Sequence, residues 1–257
     1  MTFLQILLLF AAAVCGGAMN AVAGGGTFFT FPALIFTGIP LIFSQATTAV
    51  ALLPGGIASV GAYRRELAKV RRGQTIVLIA ASLVGGILGA NLLLHTKQEV
   101  FARLVPFLLL AATLLFIFSN RITAALHSRT ADKKQQSVVS LIGTSILQLV
   151  IAIYGGYFSG GQSILILMAL GLMGMENIHE MNALKTLLSS CVSLLAVITF
   201  IIGRVVSWPQ ALLMAVGAII GGYGGASLAR KIDPRYVRIF VICVGVILTI
   251  YFFLQSP

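Results

Sequence analysis

Of 257 residues, 59% are hydrophobic and 9% charged, and the mean hydropathy is +1.05; a water-soluble domain needs more polar surface than this composition supplies. The net charge of +11 does not point to nucleic acid, because the Lys and Arg residues gather in a few short loops between apolar runs. That is the distribution of a chain crossing a lipid bilayer several times.

A span needs roughly 20 apolar residues, and the first run, 3–23, meets that length. It has neither a basic stretch ahead of it nor a small-x-small cleavage pattern, so it is expected to stay as a span. Lipoprotein-type cleavage before Cys15 is disfavoured, since the membrane pattern continues past it. Further runs follow at 27–43, 46–63, 74–94 and 100–119. The most polar stretch, RITAALHSRTADKKQQ at 121–136, divides the chain into a first membrane repeat (1–120), a basic linker (121–137) expected in the cytoplasm, and a second membrane repeat (138–257). The second repeat has runs at 138–158, 162–175, 182–203, 208–229 and 236–254. Tyr63, Tyr154 and Trp208 are expected in interfacial belts. Cys15, Cys191 and Cys243 fall in apolar runs without metal-ligand spacing; they are expected as buried small hydrophobes, and no metal or cofactor is implied.

The two repeats are related. QTIVLIAASLVGGILGANL (74–92) aligns with QALLMAVGAIIGGYGGASL (210–228), and at nearly the same offset Gly25-Gly26-Thr27 falls on Gly160-Gly161-Gln162. Gln45-Ala46-Thr47-Thr48 likewise falls on Asn182-Ala183-Leu184-Lys185. The G-x-x-x-G pairs Gly85/Gly89 and Gly221/Gly225 imply close helix packing, inside one subunit or across a homodimer.

In each repeat the second run is the odd one, with 17 residues broken by Pro32, Gly38 and Pro40 in the first half and 14 broken by Gly171 and Gly174 in the second. Fourteen residues reach about 21 Å, short of the roughly 30 Å hydrocarbon layer. Two all-α membrane architectures fit: five spans per half related as an inverted repeat, or four spans plus a re-entrant segment per half. With all five crossing, placing Arg64, Arg65, Lys69, Arg71 and Arg72 inside also places Arg121, Arg129, Lys133, Lys134, Arg230, Lys231, Arg235 and Arg238 inside. Parallel halves put the Arg230 to Arg238 cluster outside. The positive-inside rule therefore favours the inverted repeat, with both termini outside.

Inverted repeats with matched broken segments bind substrate where the breaks meet near the midplane. That places a substrate site at Asn20, Gly24, Gly25, Gly26 and Thr27, with its counterpart at Ser159, Gly160, Gly161, Gln162 and Ser163. Glycines there let the first N–H groups of the following helices face a ligand, and two helix N-termini suit an anion; tight helix packing is the competing reading. Lys185 lies inside a span, where a charge costs at least about 2.5 kcal/mol, so it is expected to meet an anionic substrate, to pair with Glu176 or Glu180, or to snorkel. Gln45, Thr47, Thr48 and Asn182 add amides and hydroxyls, as substrate ligands or as helix-helix hydrogen bonds. Glu176, His179 and Glu180 form a titratable loop suited to a proton relay or simply solvated. The chain has no HExxH, no Walker loop and no Ser/His/Asp set, so it is read as a carrier and not an enzyme.

At these residues the chain resembles the TauE/SafE family of sulfite and organosulfonate exporters, also called the toluene sulfonate uptake permease family. The resemblance rests on Asn20-x-x-x-Gly24-Gly25-Gly26 with Pro32-Ala33-Leu34, on Gln45 to Thr48, and on their echoes at Gly160-Gly161 and Asn182 to Lys185, and it spans nearly the whole chain. It implies a multi-pass transporter of the bacterial cytoplasmic (inner) membrane, moving sulfite, thiosulfate or organosulfonates with a proton or sodium ion as coupling partner. A carboxylate carrier and a non-transporting scaffold or sensor are the alternatives.

Overall fold

The computed structural model describes residues 1–22, 24–130, 138–175, 177–228 and 234–255. Among these the regular structure is entirely helical. The helices are α1 (Phe3–Val22), α2 (Thr27–Phe36), α3 (Leu41–Ala62), α4 (Arg64–Leu67), α5 (Arg72–His95), α6 (Gln98–Thr130), α7 (Val138–Tyr157), α8 (Gln162–Leu172), α9 (Ile178–Ile202), α10 (Trp208–Leu228) and α11 (Pro234–Gln255). Among the described residues, five helices are long and apolar enough to cross a membrane: α1, α3, α5, α6 and α9. The outer face is apolar, with Phe3, Ile76, Ile146, Leu212 and Ile247 each more than half exposed, as lipid and not water requires.

The ten expected runs correspond to ten helices, with α4 as an extra turn in the basic loop. The boundary expected at residue 43 moves: α2 ends at Phe36 and α3 begins at Leu41. Pro32 is absorbed inside α2, while Gly38 lies in the turn and Pro40 caps α3, because a proline has no N–H and fits a helix start better than its middle. Helix α6 continues to Thr130, into the polar stretch. Lys133, Lys134, Arg230 and Lys231 lie outside the described residues, as does Glu176.

The halves pack reciprocally. Helix α1 lies on α10 and α7 lies on α5. Both contacts are made through glycine: a Cβ at Gly221 would strike the Val14 carbonyl, and one at Gly85 would sit 2.9 Å from the Leu149 oxygen. Gly85, Gly89 and Gly221 thus serve contacts inside one subunit; the surroundings of Gly225 lie outside those described. A Cβ at Gly217 would meet the Phe10 carbonyl, one at Gly221 that of Val14 and one at Gly222 that of Gly17, so α1 and α10 run the same way. Helices α3 and α9 run oppositely: Gly56 faces Ser190 midway, and the Ser207 N–H beyond the end of α9 donates to Thr47 Oγ1 near the start of α3 (3.1 Å). Helices α6 and α11 are also opposed, since Phe107 meets Phe253 (5.2 Å between ring centroids) while Thr113 meets Gly245.

The short helices fold back against their predecessors. Thr30 of α2 packs on Gly16, and Ala33 and Leu34 join Leu9 and Ala13 in one apolar cluster. Ten residues span about 15 Å, so α2 starts deep inside the protein, where Gly26 touches Leu52 at mid-α3. Buried rings hold this interior at edge-to-face contacts worth about 0.5–1.5 kcal/mol each beyond their area: Phe28 with Phe116 (5.6 Å) and Phe31 with Phe158 (5.7 Å).

Candidate functional site

The N-terminal ends of α2 and α8 meet. Gly24, at φ +78°, and Gly161, at φ +75°, hold left-handed conformations that residues with a Cβ rarely adopt, and they turn the chain into each short helix. The Thr27 and Ser159 hydroxyls are 2.9 Å apart, and Gly24 has no Cβ because the Ser163 side chain occupies that space. Between the two helix starts, α3 and α9 enclose a cavity of about 50 Å³. A water needs roughly 10–15 Å³ of such space, so the cavity accommodates a few waters or one small polyatomic ion.

Its polar lining comes from both halves. Asn20, Gly24, Thr27 and Gln45 belong to the first; Ser159, Gln162 and Ser163 belong to the second. Gln45 and Gln162 are 1% and 2% exposed; Gln45 Nε2 donates to Ser159 Oγ (3.5 Å), but Gln45 Oε1 and Gln162 Nε2 have no hydrogen-bond partner among the described residues. A buried polar atom left unpaired costs about 1–3 kcal/mol, so two such atoms in one cavity mark a place prepared for a polar guest. Gly155 makes the Gln162 position possible, because a Cβ there would collide with the carboxamide.

Other residues named from sequence do different work. Gly25 packs on Phe116 and Val241, Gly26 on the Gly16 carbonyl, and Gly160 on the Phe158 ring. The N–H groups of Phe28 and Phe29 donate to the Gly25 and Gly26 carbonyls, and that of Ile164 to Gly161. Thr47 ties α3 to Ser207. Thr48 is fully buried with an unpaired hydroxyl, outside the cavity lining. Asn182 is half-buried and also outside it. Asn177 caps α9: its side chain accepts from the N–H groups of His179 and Glu180 and donates to Glu180 Oε1 (3.1 Å).

Lys185 is 8% exposed and makes no hydrogen bond or ion pair with another described residue. It lines a second cavity of about 40 Å³ with Ser59, Tyr63 and Thr186, and this cavity shares Asn20, Gly56, Ser163, Ser189 and Ser190 with the first. Among the described residues of both linings Lys185 is the sole charged one and no carboxylate is present. The combined surface is hydroxyl-rich, amide-rich and positive, which favours an anion.

The family model described as "Sulfite exporter TauE/SafE" matches residues 9–252. The chain belongs to the TauE/SafE family. As a TauE/SafE protein it is a multi-pass membrane transporter and not an enzyme. It is 26% identical to a probable membrane transporter protein of Haemophilus influenzae over 245 residues, covering 95% of this chain and 92% of the relative. It is 26% identical to the probable membrane transporter protein ORF9 of a Sinorhizobium species over 252 residues (97% and 93%). To the probable membrane transporter protein YfcA of Escherichia coli K12 it is 24% identical over 243 residues (94% and 87%). No solved structure matches the chain.

Three features of this TauE/SafE chain escaped the sequence reading. Ser189, Ser190 and Ser193 line the cavity from α9, and their spacing of one and four residues, continuing the face that begins at Lys185, is the signal that marks them. Tyr154 is not interfacial: its hydroxyl donates to the Gly160 carbonyl (2.6 Å), bracing the turn before α8. Cys15 and Cys243 are exposed on the outer face and Cys191 is half-buried, so lipid supplies much of the apolar environment expected from protein.

Proposed function

We propose that this chain is a secondary carrier of small sulfur-containing anions, namely sulfite, thiosulfate or an organosulfonate, exporting them across the bacterial cytoplasmic membrane with an ion gradient. The observation that carries the reading is the central cavity, where the unpaired Gln162 Nε2 meets the hydroxyls of Thr27, Ser159 and Ser163 and the Gln45 amide, whose Nε2 donates to Ser159 Oγ (3.5 Å). A tetrahedral or pyramidal oxyanion offers several acceptor atoms in a small volume and suits such converging donors. Lys185, in the adjoining cavity, places one positive charge beside the path with no carboxylate among the described lining residues. The family's description as sulfite exporters supports the sulfur anion.

We further infer that the halves form an inverted repeat with five crossings each. The opposed directions of the related pairs α3 with α9 and α6 with α11 support this over parallel halves; α3 runs with α10, since Thr47 meets Ser207 just before α10 and Gly55 lies by Ala218, and α1 also runs with α10, so α2 is the returning segment. Alternating access then consists of exposing one cavity first to one side and then to the other.

The test is flux in proteoliposomes with labelled sulfite, thiosulfate, methanesulfonate and acetate, with and without proton and sodium gradients. Saturable, gradient-dependent flux of the sulfur anions above that of acetate is expected. Acetate flux exceeding all of them would turn the reading to a carboxylate carrier, and no flux with no ligand-dependent stabilisation would turn it to a scaffold or sensor.

A further inference from the structure

Lys185 does not line the central cavity; it lines the adjoining one. The two spaces join through Asn20, Ser163, Ser189 and Ser190, so a continuous polar surface leads from the lysine to the carboxamides of Gln45 and Gln162. On α9 the residues Lys185, Ser189 and Ser193 follow one another at intervals of four along one face, a rise of about 12 Å. Tyr63, the residue between α3 and the short α4, also lines the lysine's cavity, and α4 packs against α9. Arg64 and Arg65 of that turn are exposed.

A buried ammonium without an acidic partner is unfavourable in a low-dielectric interior unless a counter-ion joins it. Here the neighbours are hydroxyls, Ser59, Tyr63 and Thr186, which serve an anion as donors. The exposed arginines that follow Tyr63 in the chain would raise the local concentration of anions.

We propose that the Lys185 vestibule is a second anion station on the transport path, distinct from the central cavity and selective for a monoanion. This rests on the carrier reading above. One lysine neutralises a single negative charge and the described lining adds no carboxylate, so hydrogen sulfite or an organosulfonate suits the station, whereas a dianion such as thiosulfate would bring an uncompensated charge into the interior and is expected to be the poorer substrate. The ion is held at Lys185 by charge and in the central cavity by hydrogen bonds alone, so it exchanges between a charged and a neutral site instead of sinking into one deep well.

Perrhenate and selenate are tetrahedral anions of one and two negative charges, and both scatter strongly. Structures of the full-length protein with each, in wild type, K185Q and K185R, test the station, with affinity read from ligand-dependent stabilisation. Perrhenate density is expected beside Lys185 and in the central cavity of wild type, with selenate weak at the lysine. In K185Q the vestibular density disappears while the central density stays, and perrhenate affinity falls about tenfold or more; K185R keeps both. K185Q removes an unpaired buried charge, so it is not expected to unfold. Density in the central cavity alone, a vestibular peak that survives K185Q, or equal occupancy by selenate would overturn the station while leaving the carrier reading to its flux assay. Absence of both peaks accompanied by absence of flux overturns the two together.

Discussion

The hydroxyl oxygens of Thr27 and Ser159 lie 2.9 Å apart although 132 positions separate them. One opens the short helix of the first half and the other leads into that of the second, so this contact joins the two repeats at the wall of the central cavity. Each hydroxyl also has lone pairs and a rotatable proton for a guest. The same atoms therefore hold the halves together when the cavity is empty and can turn to an anion when it is filled.

T27V and S159A each remove one side of this contact with little change in volume. Each is expected to lower thermal stability modestly, and the double variant should lose less than the sum. The coupling energy expected for one hydrogen bond is about 0.5–1.5 kcal/mol. Unfolding followed by light scattering or intrinsic fluorescence in lipid nanodiscs measures it, and strict additivity would show that the contact contributes nothing.

Gln162 is expected to show a split between stability and function. Its Nε2 is buried without a partner, so Q162L relieves an unsatisfied group worth about 1–3 kcal/mol while removing a donor from the cavity. The melting temperature should rise or hold, and anion flux should fall by at least about tenfold. Unchanged flux would take Gln162 out of the site.

Much of this architecture was legible in the sequence because lipid imposes length and apolarity on each span. The ten runs, the broken second segments and the paired glycines all follow from that constraint. The starts of α2 and α8 were legible for a local reason, since Gly24 and Gly161 mark turns that other residues rarely enter. What was not legible depended on partners far along the chain. Gly25 and Gly160 look like ligand-facing glycines until Phe116 and Phe158 are seen filling the space beside them. Ser189 and Ser193 look like ordinary hydroxyls of an apolar helix, able to bond to a carbonyl one turn back, until α9 is placed against α3. Tyr154 looks interfacial by residue type and is instead a brace, a role set by the turn of α8 around Gly160.

The glycine faces lead to a contrast in stability. A Cβ at Gly89 would strike the Ile153 carbonyl and one at Gly221 the Val14 carbonyl, both backbone atoms that cannot step aside, whereas nothing lies within 4 Å of one at Gly143. G89A and G221A are expected to lose about 1–3 kcal/mol or more through overpacking. G143A, within α7, should gain about 0.5–1 kcal/mol from reduced backbone freedom in the unfolded chain. Thermal unfolding of the three variants side by side checks the order.

At the start of α9, Asn177 satisfies two backbone N–H groups and holds Glu180. N177A is expected to cost about 0.5–2 kcal/mol, the usual loss of such a cap. If Glu180 serves proton coupling, the variant should also change how flux responds to a proton gradient, since it frees that carboxylate. A loss of stability with unaltered gradient dependence would confine the cluster to capping.

Gly155 offers the sharpest separation of site from scaffold. A Cβ there would meet the carboxamide of Gln162, the far end of a flexible side chain, and no backbone atom is among the near contacts. The helix can therefore accept alanine, which α7 favours intrinsically by about 1 kcal/mol over glycine, while Gln162 must swing out of its place. G155A is expected to fold with a melting temperature close to wild type and to raise the KM for anion flux about tenfold, the loss of one charge-assisted hydrogen bond of about 1.5 kcal/mol. Combining it with Q162L should bring no further loss, because the carboxamide that G155A displaces is already gone. An additive loss in the double variant would mean that Gly155 acts through something other than Gln162.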